Sequence, residues 1–377
     1  MPERNYKSIK YSIVRKLIVV IFLLSFSSAI YSQSKLIDLT AMEHVWKIIG
    51  KLEKEVKPSE DEWKALFETP GYKALGDWNN DNIRKNFELV YLPSRKAELD
   101  TVLRTAHYWL KRDLSHLIQV QQQQEEIKKY QVQLNVDKII DEALQRAEVY
   151  LPKGITNKQP PPPIRFVVFS PDARANNGNI IYDIQLSRKQ GENQFINVIA
   201  HEVHHHYSFL IEETLFNFPA GASSYEPILS AISLLRGEGI ADLIDKTYPP
   251  VIVNNDTAGY NLKISAQRLQ TPKMKQLDSI LCKMSDDTTG MYEMGKKAMG
   301  LFPSNGHYNG QYMAVLIKKH LGTAPLIEAS SNPFLFFCLY RQACQKEKTE
   351  YILSDKAMAF INRMENIFAK KSGKKNK

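Results

Sequence analysis

Four histidines and one glutamate lie within six consecutive positions of the segment NVIAHEVHHHYSF, residues 197–209, which is otherwise mostly apolar. Only one frame fits the spacing H-E-x-x-H, with His201, Glu202 and His205. Residues four apart lie one above the other on a helix, so both imidazoles can reach a single ion. Glu202 lies one step round the helix, which suits a base that deprotonates a water activated by that ion.

The other two histidines of the segment point elsewhere. His204 and His206 project about 100° to either side of His205 in helical geometry and are not expected to be ligands. The alternative interpretation is a histidine-rich helix face that holds no metal. H-E-x-x-H is a short motif and is by itself only a moderate signal. The prediction of a metal site therefore depends on a third ligand from another part of the chain.

Such a ligand follows 33 residues after His205, in the segment LLRGEGIADLID. Glu238 and Asp242 are again four apart and share a face of the expected helix. Two histidines and one carboxylate leave the fourth tetrahedral position open for water, which is the arrangement of a catalytic zinc, with one zinc per chain. Asp242 is expected to accept the distal N–H of His201 and to fix its tautomer. The alternative is a solvated acidic helix face.

This combination resembles the gluzincin metallopeptidases, the thermolysin and aminopeptidase kind, in which H-E-x-x-H is followed within a few tens of residues by E-x-x-x-D. The segment RGEGIAD resembles the corresponding segment of bacterial exported zinc-dependent peptidases of unknown function. The resemblance covers roughly residues 160–320. It implies a zincin catalytic fold, with a twisted sheet, an active-site helix carrying His201 to His205, and a second helix that brings Glu238 under the metal.

Gluzincins also use a tyrosine or histidine that stabilises the oxyanion of the tetrahedral intermediate. The corresponding segment here is SNGHYNGQYMAVLIKKHLG, in which Tyr308 is the first choice for this role and His307 the second. Tyr312 is expected to pack in the core. The edge strand beside the active-site helix commonly holds the substrate backbone in this fold, and the segment NIIYDIQLS, residues 179–187, has that position in the sequence. No G-A-M-E-N exopeptidase signature is present.

The remaining sequence predicts an α+β fold that is mostly helical. Apolar residues recur at intervals of three and four over residues 36–150, which indicates a helical N-terminal region. The run NKQPPPPIR ends this pattern, because successive prolines cannot continue a helix. Two strands are expected next, in residues 164–170 and 179–187, and helices from residue 192 onward. A small sheet, an active-site helix and a helical C-terminal lobe therefore follow the N-terminal helices.

The predicted domain organisation follows from these patterns. Residues 1–32 carry a basic start and an apolar run of fourteen residues followed by small and polar residues, the layout of a secretory signal peptide. The apolar run is shorter than the roughly 20 residues of a membrane-spanning helix, so no stable membrane insertion is expected after cleavage. A helical region at 35–157, a zincin-like metallopeptidase domain at 158–368 and a basic tail at 369–377 complete the chain.

Charge and cysteine content restrict the partners. The formal charge of +9 is concentrated in the signal peptide and in the lysines of the tail, and the remainder is close to neutral. No nucleic-acid partner is therefore inferred. Cys282, Cys338 and Cys344 form no C-x-x-C pair, so a cysteine zinc site is excluded, while one disulfide among them stays open.

Together these features predict an exported zinc metallohydrolase, periplasmic or secreted, that acts on a peptide or protein substrate. Glu202 would be its general base and Tyr308 its oxyanion donor. Two alternatives remain. One is a zincin-fold hydrolase of a non-peptide envelope substrate, and the other is a non-catalytic helical binding protein that retains the scaffold. The intact Glu202 favours the enzyme, since a decayed site has no need of it.

Overall fold

The computed structural model describes most of the chain, namely residues 36–76, 79–134, 136–218, 223–250, 257–348 and 351–370. The predicted signal peptide and residues 371–377 of the predicted tail lie outside the described residues. Within the described ranges, no helix combines the length and the apolar character needed to cross a lipid bilayer.

Helices fill most of the region between residues 40 and 148, as the apolar periodicity predicts. Their bounds are α1 Thr40–Leu52, α2 Glu60–Phe67, α3 Pro70–Leu75, α4 Asn80–Tyr91, α5 Lys96–Thr105, α6 Tyr108–Gln122, α7 Gln124–Gln133 and α8 Val136–Glu148. A short 3₁₀ helix, Pro93–Arg95, connects α4 to α5. Local signals set several of these bounds. Helix α2, for example, begins at a capping box in which the Ser59 side chain accepts the backbone N–H of Glu62 and Glu62 accepts that of Ser59.

A small sheet accompanies these helices, which confirms the α+β composition. Its strands are β1 Ile37–Asp38, β2 Ile164–Val167, β3 Ala173–Asn176 and β4 Asn179–Asp183, in the order β1-β2-β4-β3. Strands β1 and β2 are parallel, with Ile37 opposite Ile164, and β2 and β4 are parallel, with Ile164 opposite Ile180. The sequence did not predict β1 or β3.

The predicted strand over residues 179–187 is too long. Strand β4 ends at Asp183, and helix α9 begins at Ile184. The reason is the Asp183 carboxylate, whose Oδ1 accepts the backbone N–H groups of Gln185 and Leu186, each at 2.9 Å. An aspartate that accepts these otherwise unpaired N–H groups starts a helix.

The same strand was expected at the edge of the sheet, where a substrate backbone could pair with it. That prediction is wrong, because β4 lies between β2 and β3. The edge position belongs to β3, which lies in the sequence between the two predicted strands. Asn177 and Gly178 both have positive φ, 49° and 70°, and form the tight connection from β3 to β4.

Helices then continue to the end of the described chain, as the sequence predicts from residue 192 onward. Helix α9 runs over Ile184–Leu215 and bends at Gly191, whose φ is 72°. The later helices are α10 Glu226–Asp245, α11 Thr257–Arg268, α12 Gln270–Asp286, α13 Met291–Gly300, α14 His307–Leu321, α15 Thr323–Ala329, α16 Pro333–Glu347 and α17 Asp355–Phe368. A 3₁₀ helix, Ser304–Gly306, precedes α14.

The chain divides into two compact units. The first unit comprises residues Met1–Val136, Pro162–Asp172 and Asn176–Leu186, and the second comprises Asp137–Pro161, Ala173–Ala175 and Ser187–Lys377. This division differs from a boundary at residue 158, because β2 pairs with β1 and so belongs with the N-terminal helices.

The core of the second unit surrounds helix α10. Ile228, Ile232, Leu235 and Ile240 of this helix are all at most 1% exposed and belong to one apolar cluster with side chains of α12, α14, α16 and α17. A helix that is apolar on most of its circumference is a buried helix. The position of α10 in the centre of the core fixes the direction of its few polar side chains. No disulfide joins Cys282, Cys338 and Cys344.

Candidate metal centre

The two histidines of H-E-x-x-H face the same point. His201 and His205 lie on helix α9, their Nε2 atoms are 3.0 Å apart, and their ring centroids are 4.7 Å apart. Both side chains are buried. Their convergence is the result of helical geometry at a spacing of four residues.

Helix α10 brings Glu238 to the same point. Glu238 Oε2 lies 3.3 Å from His201 Nε2 and 3.1 Å from His205 Nε2. The three donor atoms therefore form a nearly equilateral triangle. A tetrahedral zinc with bonds of about 2.0–2.1 Å separates neighbouring donor atoms by about 3.3 Å. The spacing of the triangle fits one such ion.

The chemistry of the donors also fits a cation. An imidazole nitrogen without a proton is an acceptor only, and two such nitrogens 3.0 Å apart repel each other. A proton or a metal ion between them removes this repulsion. Because Glu238 adds a third acceptor to the same point, a cation with several coordination positions fits better than a single proton.

The carboxylate that holds His201 is not the one that the sequence predicted. The Nδ1 atom of His201 lies 2.9 Å from Asp245 Oδ1 but 3.5 Å from Asp242 Oδ1. Asp245 is therefore the hydrogen-bond partner that orients the ring. Asp245 was not predicted from the sequence, although it follows Glu238 by seven residues, which is two helical turns and the same face.

Asp242 contacts a different histidine. Its Oδ1 atom lies 2.9 Å from His307 Nδ1. His307 Nδ1 is also 3.1 Å from Glu238 Oε2. His201, Glu238, Asp242 and His307 thus form a wider set whose donor atoms all lie within 4.8 Å of one another.

A close helix crossing puts His307 at the cluster. At the crossing of α10 and α14, a Cβ added to Gly239 would lie 2.4 Å from the Gly310 carbonyl oxygen. A Cβ on Gly310 would lie 2.3 Å from the Leu235 carbonyl oxygen. Only glycine at both positions permits this approach of the two backbones. His307, one turn before Gly310, is thereby brought to Glu238.

Tyr308, the first choice for an oxyanion donor, has a different environment. It is the second residue of α14 and is half-buried. Its hydroxyl makes no hydrogen bond to the cluster within the described part of the chain. The structure brings His307, the second choice, to Glu238 and does not do so for Tyr308.

Lys246 adds a positive charge that the sequence did not reveal. Its ammonium group pairs with Asp242 Oδ1 and lies 3.4 Å from Asp245 Oδ2. Glu238, Asp242 and Asp245 carry three negative charges when ionised, and Lys246 compensates one of them. One divalent cation, with neutral histidines, would balance the other two, which again fits a metal site.

The same charged groups determine the protonation of the cluster when no metal is bound. Burial and the charge of Lys246 oppose protonation of His201, but Asp245 and Glu238 outweigh both and raise its pKa well above the usual range. Burial likewise opposes the charge of Glu238, but His307 and His205 hold the pKa of this carboxyl well below its usual range. In the absence of a metal, the carboxylates thus favour the protonated form of His201.

The remaining polar residues of the segment 201–206 are also buried or partly buried. Glu202 is 5% exposed and lies beside His201 in the chain. His204 is fully buried, and burial together with the neighbouring His205 lowers its pKa well below the usual range. Burial also lowers the pKa of the half-buried His206. Neither of these two histidines belongs to the donor clusters, in agreement with the helical geometry.

An internal ion pair ties the two ligand-bearing helices together. Arg236 of α10 is fully buried and donates from Nη2 to Glu212 Oε2 of α9, at 2.5 Å. Its Nη1 donates to the Ser330 carbonyl oxygen. The arginine of the RGEGIAD segment is therefore a structural residue, which fixes α10 against α9 next to Glu238.

A cavity of about 350 Å³ opens beside the triangle. His205 and Glu238 are part of its wall, together with Phe209, Ser230, Ser233, Leu234, Gly237 and Met299. A pocket of this size, apolar on most sides and with a few polar groups, is the usual form of a small-ligand site.

The fold and the site together define a candidate metalloprotein with a buried histidine and carboxylate centre beside a cavity. Comparison with known families agrees with this class. The family model described as “Putative zinc dependent peptidase (DUF5700)” matches residues 63–349. Since the match covers more than half of the chain, the protein belongs to this family. The curated proteins and the solved structures contain no match to the chain.

Proposed function

We propose that this protein is a zinc-dependent metallopeptidase of the gluzincin type, with one zinc per chain held by His201, His205 and Glu238. The observation that carries the proposal is the triangle of donor atoms, with separations of 3.0, 3.1 and 3.3 Å. Three protein ligands with a fourth position open to water are typical of catalytic zinc.

The wider donor set, in which Asp242 and His307 replace His205, is the less favourable alternative. Asp242 Oδ1 is already paired with the ammonium group of Lys246 and with His307 Nδ1. A second cation at this oxygen would have to displace the lysine or lie beside it. We therefore assign Asp242 to the support of His307 and Asp245 to the support of His201.

Bound zinc would supply the Lewis acidity that activates a water molecule. Glu202 would accept a proton from this water and pass it to the leaving amine of the peptide. The position of Glu202, adjacent to His201 in the chain and 100° round the helix, favours a role beside the metal over a role as ligand.

His307 would stabilise the negative charge that develops on the substrate carbonyl. It replaces Tyr308 in this role because it already lies at Glu238, whereas Tyr308 makes no contact with the cluster in the described residues. Loss of such a donor lowers kcat by about 100- to 1000-fold. We expect this loss for His307→Ala and near wild-type turnover for Tyr308→Phe.

The decisive experiment is digestion of a broad peptide library by the zinc-loaded protein and by Glu202→Gln. This variant should retain its zinc and its melting temperature while hydrolysis falls by at least about 100-fold, because the basic oxygen is lost. Glu213→Gln, an exposed substitution on the same helix, is the matched control. Full activity of Glu202→Gln would refute its role as base. A zinc-loaded wild type that cleaves no peptide would favour a non-peptide substrate or a non-catalytic scaffold.

Export is part of the same proposal. Its support is the basic start and the fourteen-residue apolar run near the N-terminus. Expression of the full chain in a bacterium, followed by N-terminal sequencing of the periplasmic or secreted protein, tests it. Cleavage between residues 29 and 33 is expected. Retention of an intact N-terminus in the cytoplasm would contradict export.

A further inference from the structure

The cavity beside the metal centre, called here the metal-side cavity, has a wall that begins at the proposed ligands. Two of its lining residues are His205 and Glu238 themselves. A substrate whose scissile bond lies at the zinc would therefore place a neighbouring side chain at the entrance of this cavity. The volume of about 350 Å³ exceeds the roughly 150 Å³ of a cavity that holds benzene. An aromatic or branched aliphatic side chain fits.

The helices that carry the ligands also supply the apolar walls. Phe209 follows His205 by one turn on α9, and Leu234 precedes Glu238 by one turn on α10. Residues four apart share a helix face, so the geometry that joins the ligands also joins these two side chains. The Phe209 ring stacks on the His205 ring, with centroids 5.7 Å apart and an interplanar angle of 11°.

Helix α13 also contributes to the wall of the cavity, because its backbone lies close to that of α10. A Cβ on Gly295 would lie 2.8 Å from the backbone nitrogen of Ile228, so α13 packs directly against α10 at this point. One turn later, Met299 reaches the cavity. A flexible thioether side chain adapts to occupants of different shape.

The polarity of the cavity decides what can occupy it. The ionisable side chains in its lining are His205 and Glu238, which both take part in the metal cluster. The Ser233 hydroxyl donates to Glu212. A charged side chain that entered would lose water without gaining a separate ion partner among these lining residues, which is unfavourable. An apolar side chain would gain by leaving water.

Two apolar side chains in the wall of the cavity are partly exposed to solvent. Phe209 is 41% exposed and Met299 is 40% exposed, although both are large and apolar. Their exposure at the same cavity, beside a candidate active centre, marks a binding surface and not scattered surface residues.

From this arrangement we infer that the enzyme selects peptides by an apolar side chain, of the size of leucine, methionine or phenylalanine, on a residue that flanks the scissile bond, and that Phe209, Leu234 and Met299 determine this specificity. The inference rests on the proposed peptidase function and names its substrate class. An apolar pocket that loses one methylene contact discriminates by about 10- to 200-fold. Leucine should therefore exceed alanine at the selected position by at least about tenfold in kcat/KM.

The experiment compares the cleavage sites of the wild type with those of Met299→Asp in one peptide library. A carboxylate in the cavity should move the preference from apolar toward lysine and arginine, while zinc content and melting temperature stay unchanged. Tyr292→Asp is the matched control, since Tyr292 is 42% exposed on the same helix and does not line the cavity. An unchanged preference in Met299→Asp, or the same change in Tyr292→Asp, would overturn the inference.

A binding measurement separates this inference from the proposed function. Amino-acid hydroxamates chelate zinc through their hydroxamate group and differ only in their side chains. Calorimetric titration of the zinc-loaded protein should give leucine and phenylalanine hydroxamates at least about tenfold tighter binding than alanine or aspartate hydroxamate. Equal affinities would overturn the specificity even in an active peptidase. The expected order without any peptide hydrolysis would support the cavity and refute the peptidase.

Discussion

Two carboxylates of helix α10 have separate roles at the level of single residues. Asp245 accepts the Nδ1–H of His201 at 2.9 Å, and Asp242 contacts His307 at the same distance. Fixing the Nδ1 proton of His201 leaves its Nε2 lone pair directed at Glu238 and His205, where a metal would bind. The two aspartates are only three residues apart, yet they support different rings.

Asp245→Ala should therefore weaken zinc binding by about 10- to 100-fold, the usual effect of losing a residue that orients a ligand. Asp242→Ala should change zinc affinity less and lower turnover more, because it supports His307. Competition titrations with a chelator measure the first effect, and kcat measures the second. The reverse order of the two zinc affinities would restore Asp242 as the partner of His201.

Zinc binding should release protons at neutral pH. Without a metal, Asp245 and Glu238 outweigh burial and the charge of Lys246 and raise the pKa of His201 well above its usual range, which favours the protonated ring. Burial and the charge of Lys246 oppose protonation of His307, but Glu238 and Asp242 outweigh both and raise its pKa above the usual range. A zinc ligand must give up its proton, so zinc affinity should increase with pH until the pH exceeds the pKa of His201.

Calorimetric titrations of zinc in buffers of different ionisation enthalpy count these protons. We expect about one to two protons released per zinc at pH 7, and weaker binding as the pH is lowered. Release of no protons would show that His201 is already neutral without the metal and would contradict the charge balance of the cluster.

The sequence predicted which donor residues converge better than it predicted the residues that support them, for a simple reason. His201, His205 and Glu238 follow from helical spacing and from a known motif, which are local properties. His307 and Lys246 depend on where other segments lie in space. Asp245 is the exception, since its position two turns after Glu238 was visible in the sequence.

At the level of elements, the crossing of α10 and α14 is the feature that completes the site. Gly239 and Gly310 meet backbone to backbone, with added Cβ atoms at 2.4 and 2.3 Å from carbonyl oxygens. Backbone atoms cannot move aside as a flexible side chain can. A methyl group at either position would therefore push the two helices apart and move His307 away from Glu238.

Gly310→Ala should lower the free energy of unfolding by about 1–3 kcal/mol, the range for overpacked interiors, although alanine favours a helix by about 1 kcal/mol relative to glycine. Urea unfolding of the purified variant measures this loss, and kcat should fall with it. Gly300→Ala is the control, because no atom lies within 4 Å of its added Cβ. Equal stability of the two variants would contradict a tight crossing.

The elements themselves were predictable to different degrees. Helical periodicity predicted the helices, because this signal is local. Ile180, Tyr182, Ile184 and Leu186 alternate with other residues, a pattern that predicts one long strand. The capping of α9 by Asp183 outweighs this pattern. An aspartate at this position is a helix-start signal that the alternation concealed.

At the level of the whole molecule, the pairing of strands that are distant in sequence determines the division into two units, which local sequence patterns did not predict. Strand β1 has only two residues, and it exists because β2, from beyond the proline run, pairs with it. This pairing assigns β2 and β4 to the first unit and moves the division away from residue 158. Composition shifts mark where the chain changes direction, but only pairing shows which segments pack together.

The proposed zinc ligands all belong to the second unit, and they join two of its helices, α9 and α10. Zinc should therefore stabilise this unit in particular. A ligand that binds only the folded state contributes about 4 kcal/mol when its concentration is a thousand times Kd. For a unit of this size, the gain corresponds to a rise of roughly 10 °C in melting temperature.

The positions of the tryptophans allow this expectation to be tested separately for each unit. All four precede residue 110, so their fluorescence reports on the part of the chain that belongs to the first unit. Calorimetry of the zinc-loaded protein and of the protein treated with a chelator should show a transition that falls by roughly 10 °C. The tryptophan midpoint should move less.

His206→Ala should bind zinc and melt as the wild type does, whereas Glu238→Ala should already melt at the lower temperature and show no response to the chelator. An equal decrease of both midpoints in the wild type would mean that the two units unfold together, and no decrease in either would refute a zinc site that joins α9 to α10.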